Sequence, residues 1–234
     1  LLALFQGKSR STSHHLWLAK VETSKVAMIN GCPLARLEYV HQFITSSKKS
    51  HTNIVFIDTD TLVLQDLRSL FTRYPNFDVG LTLGGHYVKK KDPNHFINLG
   101  VVFIRKNAFA RAAILLGFIS HYCTEMKDAD REAKILDQYS TFQVLEKYKI
   151  EEKGSLLGRK LTGSCISIDP LSQKLPIRVS LLSEEYNTPG LKLYKSSQVA
   201  HFAGSRSKII PIRKYGEVLL QFGVNALLKR YARR

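Results

Sequence analysis

The chain has few cysteines, no glycosylation sequon and no long apolar run. Its three cysteines, at positions 32, 123 and 165, lie far apart without a C-x-x-C pair, which excludes a zinc knuckle and a thiol redox motif and disfavours a disulfide framework. Asn187-Thr188-Pro189 lacks the hydroxyl at the third position of an N-x-[ST] sequon, which argues slightly against an extensively glycosylated secreted protein. No run reaches the about 18 apolar residues of a membrane span.

Acidic residues are also scarce. The 234 residues contain 19 Asp and Glu against 35 Lys and Arg, a formal net charge of +16. Apolar residues make up 44% and aromatic residues 10%, which indicates a globular protein and excludes collagenous, low-complexity and disordered chains. The charge alone is compatible with binding to nucleic acid, to an anionic membrane surface or to a polyphosphate.

The basic charge is concentrated towards the end of the chain. Residues 181–234 alone contribute +7, and residues 215–231 have the pattern of an amphipathic helix with a basic end. Such a helix suits contact with an anionic membrane surface. No RNP, helix-turn-helix or zinc pattern accompanies the charge, so we expect no nucleic-acid partner and keep nucleic-acid binding as the less favoured alternative.

Strand and helix patterns alternate through the first two thirds of the chain. Apolar runs predict buried strands, and 3.6-residue periodicity predicts helices between them. The predicted strands are 53–58, 79–83 and 99–104, and the predicted helices are 34–43, 109–122 and 135–148. Residues 154–190 are punctuated by Gly, Ser and Pro and predict loops with small strands such as 165–168, followed by a last strand at 199–202. This order favours an α/β fold with a mainly parallel central sheet flanked by helices.

Two aspartates follow the first of these strands directly. Asp58 and Asp60, separated by Thr59, lie at the carboxyl end of a run of bulky apolar residues, where open α/β sheets bind ligands. Carboxylate oxygens suit Mg²⁺ or Mn²⁺ bridged to phosphate. The same spacing in Asp128-Ala129-Asp130 lies in a polar stretch and is typical of a solvated loop. The alternative for the first pair is a cap for a helix that starts near Asp66.

The segment 56–64, which contains this pair, resembles the D-x-D motif of GT-A-fold glycosyltransferases. The nearest pattern is that of the retaining family 8 enzymes, such as glycogenin and galactinol synthase, and of related nucleotide-diphospho-sugar transferases. Three further segments resemble family motifs in the family's order: Asn98-Leu99-Gly100-Val101, Asp137-Gln138, and His201-Phe202-Ala203-Gly204-Ser205-Arg206-Ser207-Lys208. Each also has a plainer interpretation: Asn98 as a turn residue, Asp137 as a helix cap, His201 as a structural histidine and Lys208 as one base among many.

The resemblance implies a GT-A, Rossmann-like fold. It also implies the metal-dependent transfer of a hexose or pentose from a nucleotide-diphosphate sugar to an acceptor hydroxyl, with retention of the anomeric configuration. UDP is the family's default nucleotide. It implies that Asp58, Asp60 and His201 bind Mn²⁺, with Mg²⁺ as the alternative. Lys208, with Thr59, Gly100 and Gly204, would contact the donor. The catalytic residues would be Asn98 and Asp137, which orient the sugar hydroxyls, and Gln138, which approaches the anomeric face. The acceptor would be a glycan, a protein or a small polyol.

The chain also departs from the family pattern. Leu99 stands where the family usually has a small hydroxyl residue. Lys25 matches the family's upstream lysine at a longer separation from Asp58, and Arg36 is the alternative for that donor contact. The base-binding first strand has no clear counterpart, unless residues 1–5 are its remnant.

We therefore expect one domain over residues 1–234, truncated at its N-terminus, with a donor-binding part at about 1–106 and an acceptor part at about 107–234. The Gly-bounded loop with His86 and His95 is either a flap over the donor or a solvated loop. An inactive GT-A-fold partner subunit is the main alternative to an enzyme. The lumen of the Golgi or secretory pathway, with any anchor outside this chain, is the favoured location, and the cytoplasm is the alternative.

Overall fold

The structure, a computed structural model, describes residues 2–6, 16–20, 33–46, 53–58, 61–84, 97–127, 136–150, 156, 162–172, 176–189 and 196–201. The helices are α1 (Pro33–Ser46), α2 (Arg68–Arg73), α3 (Phe109–Lys127) and α4 (Leu136–Tyr148), with a 3₁₀ helix at Glu184–Asn187. The strands are β1 (Leu2–Gln6), β2 (Leu16–Lys20), β3 (Ile54–Ile57), β4 (Thr61–Val63), β5 (Val79–Leu83), β6 (Ile97–Ile104), β7 (Cys165–Ile168), β8 (Ile177–Leu182), β9 (Thr188–Pro189) and β10 (Val199–His201).

The main sheet is mostly antiparallel. Its seven strands lie in the order β2-β1-β3-β6-β5-β8-β7, and only β5 and β8 pair in parallel. The prediction of a mixed α/β fold is confirmed, but the prediction of a mainly parallel sheet is wrong. The apolar run of β3 suggested a parallel strand because it is buried on both faces. Burial on both faces requires a layer on each side of the sheet, and that condition does not depend on strand direction.

The two faces of the sheet carry separate cores. Ile54 and Phe56 of β3 point to a core shared with α1, α3 and α4, while Val55 and Ile57 point to a core shared with α2 and the 3₁₀ helix. The helices place apolar residues at helical spacing towards the first core: Leu37, Val40 and Ile44 from α1, and Ala112, Leu115, Leu116, Ile119 and Cys123 from α3. The alternation along β3 therefore fixes which face of the sheet each layer covers.

Strand β6 contains an irregularity beside β3. Its register with β5 jumps from Leu81 opposite Val102 to Thr82 opposite Asn98. Leu99 faces the helix-side core and Val101 faces the opposite core, and Val102 returns to the helix side. The alternation of side chains thus changes phase at Gly100, as it does at a β-bulge.

A second sheet of three strands covers one end of the molecule in the order β4-β10-β9. Its middle strand, β10, is antiparallel to β4 and parallel to β9. His201, the last residue of β10, pairs with Thr61, and Thr61 is three residues along the chain from Asp58, the residue that follows β3.

The opposite end of the main sheet is held by a buried carboxylate, that of Asp78. It accepts a hydrogen bond from the Arg111 guanidinium at 2.7 Å and from the Arg178 backbone at 2.9 Å, and its side chain is 1% exposed. Burial raises the pKa of Asp78, but the hydrogen bonds from Arg111 and Arg178 outweigh it and hold that pKa below its usual value.

Arg105 closes the loop after α2. Its guanidinium donates to the backbone oxygens of Phe71, Tyr74 and Phe77, at 2.7, 2.6 and 3.1 Å, and stacks over the Phe77 ring at 4.8 Å. One side chain therefore satisfies three carbonyl groups at the end of a short helix.

Most of the predicted elements are confirmed, with ends that differ by a few residues. The prediction for residues 154–190 missed β8, a six-residue strand in the main sheet. Residues 1–5 overlap β1, which pairs antiparallel with β3. The predicted helix at 215–231 lies outside the described residues. In the part of the chain that the structure describes, no helix is long and apolar enough to cross a membrane.

Candidate functional site

The site lies at the end of the main sheet where β3 stops and β6 starts. Because the two strands are antiparallel, the carboxyl end of β3 and the amino end of β6 meet there. The backbone N–H of Asp58 donates to the carbonyl oxygen of Gly100 at 2.8 Å. Two of the four predicted motif segments, those containing Asp58 and Asn98, are therefore neighbours in the sheet.

Arg36, in the first turns of α1, joins the third segment to them. Its Nη1 donates to both carboxylate oxygens of Asp58, at 3.0 and 2.8 Å, and its Nη2 donates to Oδ2 of Asp137. The side chains of Arg36 and Asp58 are 24% and 21% exposed, but that of Asp137 is only 1% exposed. Asp137 therefore lies behind the guanidinium, and Arg36 and Asp58 form the accessible part of the cluster.

Burial and charge act in opposite directions on this cluster. Burial opposes the charge of Arg36, but Asp137 and Asp58 together outweigh it and raise the arginine's pKa. Burial raises the pKa of the Asp137 carboxyl, and the charge of Arg36 opposes that rise without cancelling it. The arginine is thus a fixed cation, while the buried carboxylate depends on it for its charged form.

His201 brings in the fourth segment. Its Nε2 lies 3.8 Å from Oδ2 of Asp58, and its Nδ1 lies 2.8 Å from Oδ1 of Asn187. The ring is 6% exposed and packs on Gly100, where an added Cβ would lie 2.3 Å from Cε1 and 2.6 Å from Nδ1 of the histidine. Only glycine leaves room for His201 in this position, and the spacing of the motif gave no sign of this contact.

The described residues fit a divalent cation in part. Asp58 Oδ2 and His201 Nε2, two of the three predicted ligand atoms, are close enough to share one ion, and oxygen and imidazole donors suit Mn²⁺. Asp60, the third predicted ligand, lies outside the described residues. Among the residues described, no group of three or more His, Cys, Asp or Glu could hold a metal. Arg36 already binds both oxygens of Asp58, so a metal would compete with the guanidinium.

Of the remaining residues named from the sequence, Gln138, Asn98 and Leu99 lie in the described part of the chain. Gln138 lies in the first turn of α4, and its N–H donates to Asp137 Oδ1 at 2.9 Å. Asn98 stabilises the irregular segment of β6, because its Oδ1 accepts the N–H of Gly100 at 2.9 Å. Leu99 packs in the helix-side core, 3% exposed. The other residues named from the sequence lie outside the described part: Lys25, Thr59, Gly204, Lys208, His86, His95 and the control pair Asp128 and Asp130.

The plainer interpretations fare differently. Asp58 does not cap α2, because the N-cap of that helix is Leu67, without a side-chain cap. The Asp66 carboxylate instead accepts the N–H of Arg68 at 3.0 Å. Asn98 is not a turn residue, because it lies within β6, where its Oδ1 accepts the N–H of Gly100 in the same strand.

Sequence reasoning missed two polar residues beneath the site. Asn187 and Thr82 are 4% and 0% exposed, and the Asn187 amide donates to the Thr82 hydroxyl at 2.9 Å. Neither belongs to a motif that the sequence analysis recognised. In the sequence, Asn187 directly follows a tyrosine in a polar segment, and this pattern is too common to identify Asn187 as a site residue.

Comparisons with models of known protein families, with curated proteins and with solved structures gave no match for this chain. The assignment of function therefore depends on the residues themselves and on the contacts between them.

Proposed function

We propose that this chain is a metal-dependent glycosyltransferase of GT-A type. It moves a hexose or pentose from a nucleotide-diphosphate sugar, with UDP as the first candidate, to an acceptor hydroxyl, with retention of configuration. Within the proposal, the donor binds at the end of the main sheet beside Asp58, and Mn²⁺ is the preferred ion.

One observation carries the proposal: Asp137, Arg36, Asp58 and His201 form a continuous chain of contacts, although they come from four separate segments. Sequence motifs alone predict three of these residues, Asp58, Asp137 and His201, as site residues. A set of unrelated chance matches would be expected to scatter over the fold.

The chemistry requires control of negative charge. The bond between the anomeric carbon and the diphosphate oxygen breaks with its electron pair on the diphosphate, the acceptor oxygen bonds to that carbon, and the acceptor's proton passes to the departing diphosphate. The transition state is oxocarbenium-like, as in glycoside hydrolysis. A bound divalent ion would supply Lewis-acid stabilisation of the leaving diphosphate.

The chain's own residues add to this stabilisation. Arg36 offers a fixed positive charge next to Asp58. Asp137 is buried behind it, and so acts first by holding the guanidinium in place rather than by contacting the sugar. Lys208 would add a second cation at the diphosphate.

The test is release of a nucleoside diphosphate from a panel of nucleotide sugars in the presence of Mn²⁺. We expect hydrolysis of at least one donor by the wild type, and a fall of about 100-fold or more in Asp58→Asn, Asp60→Ala and His201→Ala, as for loss of a group that stabilises transition-state charge. Asp66→Asn and His121→Gln are the controls, because Asp66 is exposed in an ion pair with Arg68 and His121 is exposed beside Glu125.

Full activity in the three site variants would contradict the proposal. A thermal-shift panel with the same donors and Mn²⁺ distinguishes an active enzyme from the main alternative. A donor that stabilises the protein but is neither hydrolysed nor transferred to any acceptor would indicate an inactive partner subunit. Stabilisation by DNA or RNA, with a strong dependence on salt and none by nucleotide sugars, would instead favour the nucleic-acid alternative.

A further inference from the structure

Asn187 is the last residue of the 3₁₀ helix and lies beneath the site. Its side chain contacts three segments at once: β5 through Thr82, β6 through Asn98, and β10 through His201. A buried amide with this many partners is constrained in orientation, because each partner accepts or donates in a defined direction.

The partners fix which end of the amide faces which side. Nδ2 of Asn187 lies 3.3 Å from the carbonyl oxygen of Asn98, which can only accept a hydrogen bond. The Thr82 hydroxyl donates to that same carbonyl at 2.8 Å, so its oxygen accepts from Nδ2 at 2.9 Å. The NH₂ group therefore points to β5 and β6, and Oδ1 points to the histidine.

This orientation determines the proton on the imidazole. Oδ1 of Asn187 can only accept, so Nδ1 of His201, at 2.8 Å, must carry a hydrogen. In the neutral ring the lone pair is then on Nε2, the atom 3.8 Å from Asp58 Oδ2. In the opposite tautomer, Nδ1 of His201 would be an acceptor that faces Oδ1 of Asn187, also an acceptor, in a buried contact.

We infer that Asn187 is a positioning residue, which fixes His201 as the Nδ1–H tautomer and directs the electron pair of Nε2 towards Asp58. Gly100 completes the arrangement, because its lack of a Cβ leaves room for Cε1 and Nδ1 of the ring. The tautomer follows from the contacts alone, whereas its use in binding a metal rests on the proposed function.

The inference is tested first without any metal. In protein labelled with ¹⁵N-histidine and held near pH 8, where an ordinary imidazole is neutral, NMR reports which ring nitrogen carries the proton. The His201 signal is identified among the eight histidines by its loss in His201→Gln. We expect the Nδ1–H tautomer in the wild type, and a mixture of both tautomers in Asn187→Ala.

Two variants complete the set. Asn187→Asp keeps an acceptor opposite Nδ1 and should retain the wild-type tautomer. Asn53→Ala is the control, because that side chain accepts the N–H of Lys106 at the other end of the sheet. A wild-type His201 protonated on Nε2 would overturn the inference, and this result needs no variant other than the His201→Gln used for the assignment.

A second measurement connects the tautomer to the site. Direct titration with Mn²⁺, followed by electron paramagnetic resonance, should show a loss of affinity of about 10- to 100-fold in Asn187→Ala, the usual effect of removing a partner behind a ligand. An unchanged affinity together with an unchanged tautomer in Asn187→Ala rejects the role of Asn187. If the wild type binds no Mn²⁺ while the tautomer still responds to Asn187→Ala, the positioning role stands and the proposed function fails.

Discussion

Replacing Arg36 by methionine would remove the cation that pairs with the buried carboxylate of Asp137. That carboxylate is 1% exposed, and among the described residues it would keep the hydrogen bond from the Gln138 N–H. Breaking a buried pair by removing one partner costs about 3–5 kcal/mol. We therefore expect Arg36→Met to lower the free energy of unfolding by an amount in that range at pH 7.

The loss should shrink on acidification. Burial already raises the pKa of Asp137 and, without Arg36, the hydrogen bond from the Gln138 backbone is what remains among the described residues to oppose that rise. A carboxyl whose pKa is higher in the folded than in the unfolded state binds more protons when folded, so the free energy of unfolding falls as the pH rises between the two pKa values. The penalty of Arg36→Met should thus be larger at pH 7 than at pH 5.

A double-mutant cycle measures the coupling. Urea unfolding followed by circular dichroism is compared for the wild type, Arg36→Met, Asp137→Asn and the double variant. The double variant should be more stable than the sum of the single losses predicts, because it removes the uncompensated charge. Additivity within about 0.5 kcal/mol, together with equal Arg36→Met penalties at both pH values, would refute the coupling. Arg68→Met, in an exposed pair with Asp66, is the control and should change little.

Three further predictions concern single side chains. Gly100→Ala should displace the His201 ring, lower the free energy of unfolding by about 1–3 kcal/mol and abolish donor hydrolysis, measured by urea unfolding and the diphosphate assay. At Gly117 on α3, by contrast, the nearest contact of the new Cβ would be at 3.9 Å, so Gly117→Ala should raise the free energy of unfolding by about 0.5–1 kcal/mol. Equal effects of the two substitutions would contradict the packing described for His201. Asp78→Asn should make the free energy of unfolding fall less steeply with acidification below about pH 4. A carboxyl with a lowered pKa stabilises the fold above its unfolded pKa and loses this contribution as the pH falls. An unchanged acid transition would be the contrary result. Arg105→Met should speed hydrogen exchange in residues 68–77 and leave α3 unaffected, and uniform exchange in both would disprove its local role.

The sequence predicted element types well because each element has a one-dimensional signal. The run 54–57 and the helical spacing of Leu37, Val40 and Ile44 report burial directly. Strand direction has no such signal, which is why the sheet was predicted to be mainly parallel. Strand β8 was missed because its neighbourhood is rich in turn residues, and its burial comes from pairing with β5 on one side and β7 on the other.

The candidate site was predictable as a set of residues but not as a set of contacts. Motif spacing selected Asp58, Asp137 and His201, and named Arg36 only as a substitute for Lys25. The structure instead makes Arg36 the link between two of them. Asn187 could not be found from the sequence, because its significance depends on which atoms face Thr82 and His201 in three dimensions.

The wide separation of these contacts along the chain has a consequence for how the molecule reaches its native state. The ion pair of Arg36 with Asp137 spans 101 residues, and the hydrogen bond of Asn187 with Thr82 spans 105. Loops of this length close late, since their entropy must be lost before any contact compensates for it. A nascent chain that ends before β10 lacks His201 and the middle strand of the second sheet. On the proposed function, binding of the metal and the donor should therefore appear only after residue 201 has been synthesised.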